Sequence, residues 1–289
     1  MSTIIRIMTH NVWNRDENTP QWEGKGKDCS AKARLGGLLR VWEETAPDLI
    51  GCQEVSAHMA DLLMSELEKK GAPYTLIWGR YTPILYRSDR FELVASEFGT
   101  YPETIEGLEG TFNDLRSKSC SLAVLRHKES GRVFLFATTH LWWKKSPPDP
   151  SVTGKGYQEY SDEAREYQME QLLRRIDRLR RRYGCPVVLV GDMNTDYSSK
   201  AVQNAMKYGF RHAHDVATDY AEEQVGYHSC YAWGYEEKYS DAPFESAIDH
   251  IFVLDFPTDA VKRFARHSPD YYFPISDHSA AYVDLDLTL

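Results

Sequence analysis

The sequence contains no apolar run approaching the roughly 20 residues that cross a bilayer, although 42% of its 289 residues are hydrophobic. A membrane-spanning helix is therefore not expected. There is no CxxC pair. Five cysteines, Cys29, Cys52, Cys120, Cys185 and Cys230, are scattered along the chain. An odd, dispersed set argues for free thiols in a reducing compartment rather than a disulfide framework. No Cys/His cluster has structural zinc spacing. The N-terminus, MSTIIRIMTHNVW, lacks the cationic start, long apolar run and small-residue cleavage site of a secretory signal. A cytoplasmic location is the expectation. Nor is there a surplus of basic charge: the formal net charge is -9. Duplex nucleic-acid binders usually carry a basic footprint, so a nucleic-acid partner becomes less favoured, with local patches left open. Repeats and Gly/Ser linkers are missing as well, which predicts one domain over residues 1–289.

What is present is a series of short apolar strands. They are read at Ile4–Met8, Asp48–Gln53, Pro83–Tyr86, Phe91–Ala95, Ser121–Leu125, Val133–Thr138, Val187–Val190, Ile248–Leu254 and Ala280–Leu287. Helical spacing of leucines and other apolar residues marks Lys32–Glu44, Ala57–Lys69 and Asp162–Tyr183. Strands outnumber helices, and most steps between middle strands suit antiparallel hairpins. Mixed sheets packed face to face, with helices outside, are expected. The Pro- and Gly-rich stretch Lys144–Tyr160 is long for a loop, and such loops tend to be functional or mobile.

Polar residues stand where these strands stop. Asn11 ends the first. Glu54 ends the second, in alternation with Ile50 and Cys52. His140 ends the strand of Phe136 and Thr138, and Asp192 and Asn194 follow Val187–Val190. Asp249 opens "DHIFV", and Asp277 and His278 precede the last strand. Burying an aspartate or histidine costs free energy unless it is paired or bound to metal. Six strands doing so are hard to ascribe to packing. Glu54 with another carboxylate suits a hard cation such as Mg2+, which takes oxygen ligands and substrate phosphates. His140 and His278 could contact a phosphate or move protons. Asn11 and Asn194 could orient a carboxylate or water without adding charge. The parts suit metal-assisted hydrolysis of a phosphate ester.

The ordered set resembles the endonuclease/exonuclease/phosphatase superfamily, the metal-dependent phosphoesterases related to pancreatic-type deoxyribonuclease. The resemblance rests on Asn11 in "THNVW", Glu54 in "CQEV", "ILYRSDRFELV", His140 in "TTHL", "GDMN" from Gly191, "IDHIF" from Ile248 and "SDH" from Ser276. It implies a four-layered αββα sandwich of two mixed, mainly antiparallel sheets. It also implies Mg2+ or Mn2+ bound by Glu54, with Asp277 near the metal. Asp192 would align or deprotonate the attacking water, with Asn11 and Asn194 around it and the phosphate. Asp249 would orient His278 to stabilise the transition state, and His140 would contact the phosphate. One departure stands out. Deoxyribonuclease-like relatives carry a glutamate before the "LYR" strand that supports the equivalent of His140, whereas "WGRYTPILYR" has no carboxylate.

Other features read as structural. His10 and His250 fall out of phase with Asn11 and Asp249. "FRHAHDVA", with His212, His214 and Asp215, reads as a surface turn because no third metal ligand lies at a helpful spacing. The basic run Arg174–Arg182 sits at a helix C-terminus, where cations suit the macrodipole, and reads as a solvated face. Arg87 reads as structural. Trp142, on the His140 face by alternation, is the candidate substrate-stacking aromatic, and Trp143 and Trp13 could equally be core. The favoured function is hydrolysis of a soluble, small phosphorylated substrate. A nuclease is the alternative, and an inactive binding scaffold on the same fold comes third. Loops choose the substrate in such folds, and Lys144–Tyr160 is the evident candidate.

Overall fold

Two-residue alternation decides which side of each strand is buried, and here both sides are. The computed structural model describes residues 3–149, 151–221, 246–267, 269, 271 and 275–288. Cys230 lies outside them. The elements in chain order are β1 (Ile4–Asn11), α1 (Pro20–Glu23), α2 (Ala31–Thr45), β2 (Leu49–Gln53), α3 (Ala57–Lys69), β3 (Tyr74–Ile77) and β4 (Ile84–Arg87). Next come β5 (Phe91–Thr100), β6 (Ser119–His127), β7 (Val133–His140), α4 (Ser161–Tyr183), β8 (Val187–Asp192) and α5 (Lys200–Tyr208). The last are β9 (Arg211–His212), α6 (Ala213–Val216), β10 (Asp249–Leu254), β11 (Val261–His267) and β12 (Ala280–Asp286).

The strands form two six-stranded sheets, ordered β11-β12-β1-β2-β4-β3 and β5-β6-β7-β8-β10-β9. Pairing is antiparallel except for β1 with β2 and β7 with β8. Ile5, Ile7, Phe136, Val188, Val190, Ile251 and Val253 form the core between the sheets. On the outer face of the first sheet, Met8, Ile50 and Cys52 pack against Leu38, Trp42 and Leu63 of α2 and α3. On the outer face of the second, Leu122, Leu135 and Leu189 pack against Leu172 and Ile176 of α4 and Val202 of α5. The layers run helix, sheet, sheet, helix. No helix among the described residues is long and apolar enough to cross a membrane.

The sheets approach so closely near the site that Gly51 has no room for a side chain. A Cβ there would lie 2.4 Å from Val190 Cγ2 and 2.8 Å from Thr138 Cβ. Beside it, Gln53 ties the sheets together, donating from Nε2 to Thr138 Oγ1 at 2.9 Å and to the Gly51 carbonyl at 3.0 Å. The four described cysteines, Cys29, Cys52, Cys120 and Cys185, are buried free thiols.

Candidate active site

Register brings the strand ends together. His140 pairs with Asp192 across β7 and β8, and Asp249 pairs with Asp192 across β8 and β10. Asp192 thus stands between two neighbours of one sheet, in phase with Val188 and Val190 of the inter-sheet core. From the facing sheet, Asn11 donates from Nδ2 to Asp192 Oδ2 at 3.0 Å and to Glu54 Oε1 at 3.3 Å.

Glu54 reaches the site differently from the alternation expected of it. Ile50 and Cys52 face the outer helices. The strand ends at Gln53, and Glu54 takes a left-handed conformation with φ 59°. That turn, and not the strand's phase, sets Glu54 beside Asn11. Its Oε2 accepts from the Asn14 N–H at 2.9 Å. Asn194 is also left-handed, with φ 52°. Its N–H donates to Asp192 Oδ1 at 2.8 Å and its Nδ2 to the Leu141 carbonyl at 3.0 Å. Asn194 therefore fixes the Asp192 carboxylate from behind.

Asp192 is fully enclosed. Burial pushes its carboxyl up to about 7, and nearby Asp249 adds to the rise, while His278 and Lys118 oppose it. His278 Nδ1 lies 2.7 Å from Asp249 Oδ2, and its Nε2 lies 3.8 Å from Asp192 Oδ2. Burial works against a charged imidazole, but Asp249 and Asp192 outweigh it and hold His278 well above the usual histidine range. The charged form of His278 is thus favoured, with its Nε2 aimed at the centre of the site. Ser276 anchors its loop, donating from Oγ to the Asn11 carbonyl at 2.7 Å and accepting from the His278 N–H at 3.2 Å.

His140 behaves in the opposite way. Burial, followed by the Lys118 and His278 charges, holds it well below the usual range. The neutral ring is thus favoured, and its Nε2 lies 2.7 Å from Lys118 Nζ and 3.4 Å from Asp192 Oδ2. Lys118 escaped the sequence reading, which began the strand at Ser121. The strand begins at Ser119, directly opposite His140. A register drawn three residues longer reaches it. Lys118 is buried with no carboxylate hydrogen bond among the described residues, and burial lowers its ammonium below the ordinary lysine value against the opposing charges of Glu54, Asp192 and Asp114. Asn113 fixes its backbone, accepting from the Lys118 N–H at 2.8 Å and donating to its carbonyl at 2.9 Å. Where deoxyribonuclease-like relatives support this histidine with a glutamate, this chain sets an ammonium.

These groups line a polar cavity of about 490 Å³, walled by Glu54, Lys118, His140, Asp192, Asn194, Asp277 and His278, with Trp13, Tyr81, Asp114 and Trp143 further out. Trp142 does not belong to it. The chain leaves strand geometry after His140, so alternation no longer applies. Trp142 is enclosed by Phe112, Ile105 and Ala164, and its Nε1 donates to Ser161 Oγ. The proposed stacking role of Trp142 is therefore corrected. Trp143 is the exposed aromatic at the mouth, its Nε1 donating to Asp114 Oδ2 at 3.0 Å. The described residues of the Lys144–Tyr160 loop contribute no wall either. Lys145 pairs with Gly156 and Gln158, folding the loop on itself.

The remaining sequence features are placed elsewhere. His212 is buried rather than on a surface turn, its Nε2 lying 3.0 Å from His250 Nδ1. His250 Nε2 donates to the Thr195 carbonyl at 2.9 Å. His10 Nδ1 accepts from Trp42 Nε1. Arg87 faces Asp48 and Asp89, away from the site. Arg175 and Arg178 of the basic run pair with Glu97, and Arg180 with Asp255.

Whether the donor set suits a divalent cation can be read from its unmet demands. Asp277 Oδ1 is buried without a hydrogen-bond partner. Burial, with the Glu54 charge adding to it against His278, pushes Asp277 up to about 6. A buried carboxyl whose ionisation is opposed by burial and a neighbouring carboxylate is what a cation relieves. Ligand atoms of Glu54, His140 and Asp192 lie within 4.8 Å of one another, as do those of Asp192, Asp249 and His278. The acidic and histidine donors stand close enough together to hold a metal ion.

The profile of the Endonuclease/Exonuclease/phosphatase family matches residues 8–278. No curated protein matches the chain in sequence. An endonuclease/exonuclease/phosphatase family protein from Bacteroides thetaiotaomicron is similar in structure, at 20% identity and TM-score 0.72, with 100% of both chains covered. A mannosyl-6-phosphatase from the same species aligns at 22% identity and TM-score 0.70, over 97% of this chain and 99% of that one. The D. rerio TDP2 complex with single-strand DNA product aligns at 17% identity and TM-score 0.63, over 97% and 98%. At these identities the likeness establishes the fold alone.

Proposed function

Because this chain belongs to the endonuclease/exonuclease/phosphatase family, we propose that it hydrolyses a phosphate ester on a small soluble substrate, with Mg2+ or Mn2+ as cofactor. The observation that carries the reading is convergence. Glu54, His140, Asp192, Asp277 and His278, far apart in sequence, line one polar cavity, with Asn11 bonded to Asp192 and Asp249 to His278 behind them. Glu54 and Asp277 would hold the cation, which when bound supplies Lewis-acid polarisation of a phosphoryl oxygen.

The protein's own groups do the rest. Asp192 orients a water and takes one of its protons as the water oxygen bonds to phosphorus. The ester P–O bond breaks on the opposite side, and the departing alkoxide takes up a proton. Asn11 and Asn194 keep the Asp192 carboxylate from turning. His278, held charged by Asp249, faces the negative charge on the phosphoryl group. Lys118, steadied by the neutral His140 ring, donates to a phosphate oxygen.

A small substrate is favoured over nucleic acid by the net charge of -9 and by the four carboxylates, Glu54, Asp114, Asp192 and Asp277, that line the cavity. The mannosyl-6-phosphatase among the structural relatives supports a phosphorylated-sugar class. The test is phosphate release in Mg2+ from a panel of sugar phosphates, nucleotides, bis-p-nitrophenyl phosphate and single-stranded DNA. Release from small monoesters well above release from DNA is expected. Cleavage of DNA alone would replace this reading with a nuclease, and no cleavage of any member would refute it.

A further inference from the structure

A second cavity adjoins the first. It holds about 290 Å³ and is lined by Val55, Ala57, Trp78, Arg80 and Tyr81. Tyr81 also lines the reaction cavity, and Val55 directly follows Glu54. The two spaces therefore share a wall.

The loop that presents Trp78, Arg80 and Tyr81 is fixed. Thr82 donates from its N–H to the Gly79 carbonyl at 2.9 Å, and its Oγ1 meets Ser119 Oγ at 2.9 Å. The Tyr81 carbonyl accepts from the Val55 N–H at 3.2 Å. Gly79 is pressed onto β6 so closely that a Cβ would lie 1.9 Å from Ser121 Oγ. On this rigid base Trp78 is 45% exposed. A large aromatic left open beside the reaction cavity offers a flat apolar face on which a ring can lie.

Arg80 adds charge and strain. It sits in the left-handed region at φ 49°, which is unfavourable for a residue with a Cβ. Among the described residues it has no ion pair or side-chain hydrogen bond. Most arginines of this acidic chain do have a carboxylate, as Arg6, Arg40, Arg126 and Arg263 show. Arg15, on the cavity wall, and Arg116, beside Ser117 and Lys118, are likewise exposed without a carboxylate partner among the described residues. Unpaired cations therefore gather on three loops around the mouth.

We infer that the second cavity is the subsite for the non-reacting part of the substrate. It takes a ring that carries a second anionic group, as in a nucleoside or sugar bisphosphate. The ring lies against Trp78, and the second anion meets the Arg80 guanidinium, whose fork suits phosphate oxygens. This rests on the phosphoesterase reading only for which group enters the first cavity.

Titration calorimetry in Mg2+ tests it, on an Asp192→Asn background so that turnover does not interfere. Two ligand pairs are compared, adenosine 3′,5′-bisphosphate with adenosine 5′-monophosphate, and fructose 1,6-bisphosphate with fructose 6-phosphate. In at least one pair the bisphosphate binds about 10-fold or more tightly, the scale of one charged hydrogen bond. Arg80→Gln removes most of that gap while changing monophosphate affinity less than about twofold, and Arg80→Lys keeps part of it. Trp78→Ala weakens the ring ligands about 10-fold and leaves inorganic phosphate unchanged. No gap in either pair, or a gap that survives Arg80→Gln, overturns the inference, as does equal weakening of inorganic phosphate by Trp78→Ala. Turnover by the unaltered protein is measured separately. Its absence would refute the phosphoesterase reading, while the calorimetric gap would still decide the subsite.

Discussion

Lys118 and His278 show how two buried basic groups in one cavity acquire different duties, burial lowering the first while carboxylates raise the second. His278 has Asp249 at 2.7 Å and keeps its proton. Lys118 has a neutral imidazole at the same distance and keeps a donor free. Asp249→Asn therefore removes the charge on His278 and should lower kcat about 10²–10⁴-fold with KM little changed, measured by steady-state phosphate release. A parallel rise in KM would mean that Asp249 only shapes the pocket. Lys118→Met should lower kcat/KM about 10–100-fold, because a charged phosphate contact is lost. It should leave the melting temperature unchanged or higher, since a buried ammonium without a carboxylate partner contributes little stability. Of these residues His278 and Asp249 were legible in the sequence, because each sits at an apolar strand's end. Lys118 was not, because nothing local distinguishes a buried lysine from a solvated one. Trp142 was misread because the alternation that assigned it stops at His140.

Among the elements, those with strong caps or continuous apolar runs were legible. The helix read at Ala57–Lys69 has those limits, set by the Ser56 cap and the turn before Gly71. Edge elements were not. β11 carries Lys262, Arg263 and Arg266 and lies at the sheet's margin, so its composition hides the strand. β3, half-buried throughout, gives no alternation to read. The closest contact between sheets depends on Gly51. Gly51→Val should destabilise the protein by about 1–3 kcal/mol or prevent folding, as overpacking does, read from the urea midpoint. The linked pair His212 and His250 joins β9 and β10 beneath the site. Burial holds His250 down to about 4 and His212 well below its ordinary value. The unfolded chain, with histidines near 6.5, binds protons that the folded state refuses. Stability from this pair is complete above pH 6.5 and falls as pH drops toward 4. Urea unfolding at pH 7.5 and pH 5 should show the loss, and His212→Asn should flatten it. An unchanged slope in the variant would remove the pair from the account.

The molecule as a whole brings two sheets together so that six strand ends face one cavity. The layered architecture could be read from the order of strands and helices, and the site from the polar residues that punctuate them. The substrate-facing walls could not, because Trp13, Asp114 and Trp143 come from loops whose paths no periodicity fixes. The suspected Lys144–Tyr160 loop folds back on itself instead. A cation held by Glu54 and Asp277 relieves the buried, unpartnered Asp277 oxygen and its half-buried neighbour Glu54, so it should stabilise the fold as well as activate it. Adding millimolar Mg2+ to EDTA-treated protein should raise the melting temperature, and Glu54→Gln should abolish that rise.

The most direct measurement is the rate of phosphate release from a sugar monophosphate by the unaltered protein and by Asp192→Asn, each in Mg2+ and in EDTA. The account predicts turnover only for the unaltered protein in Mg2+, with Asp192→Asn slower by about 10³-fold or more. Equal rates in Mg2+ and EDTA, or an Asp192→Asn variant as active as its parent, would contradict it.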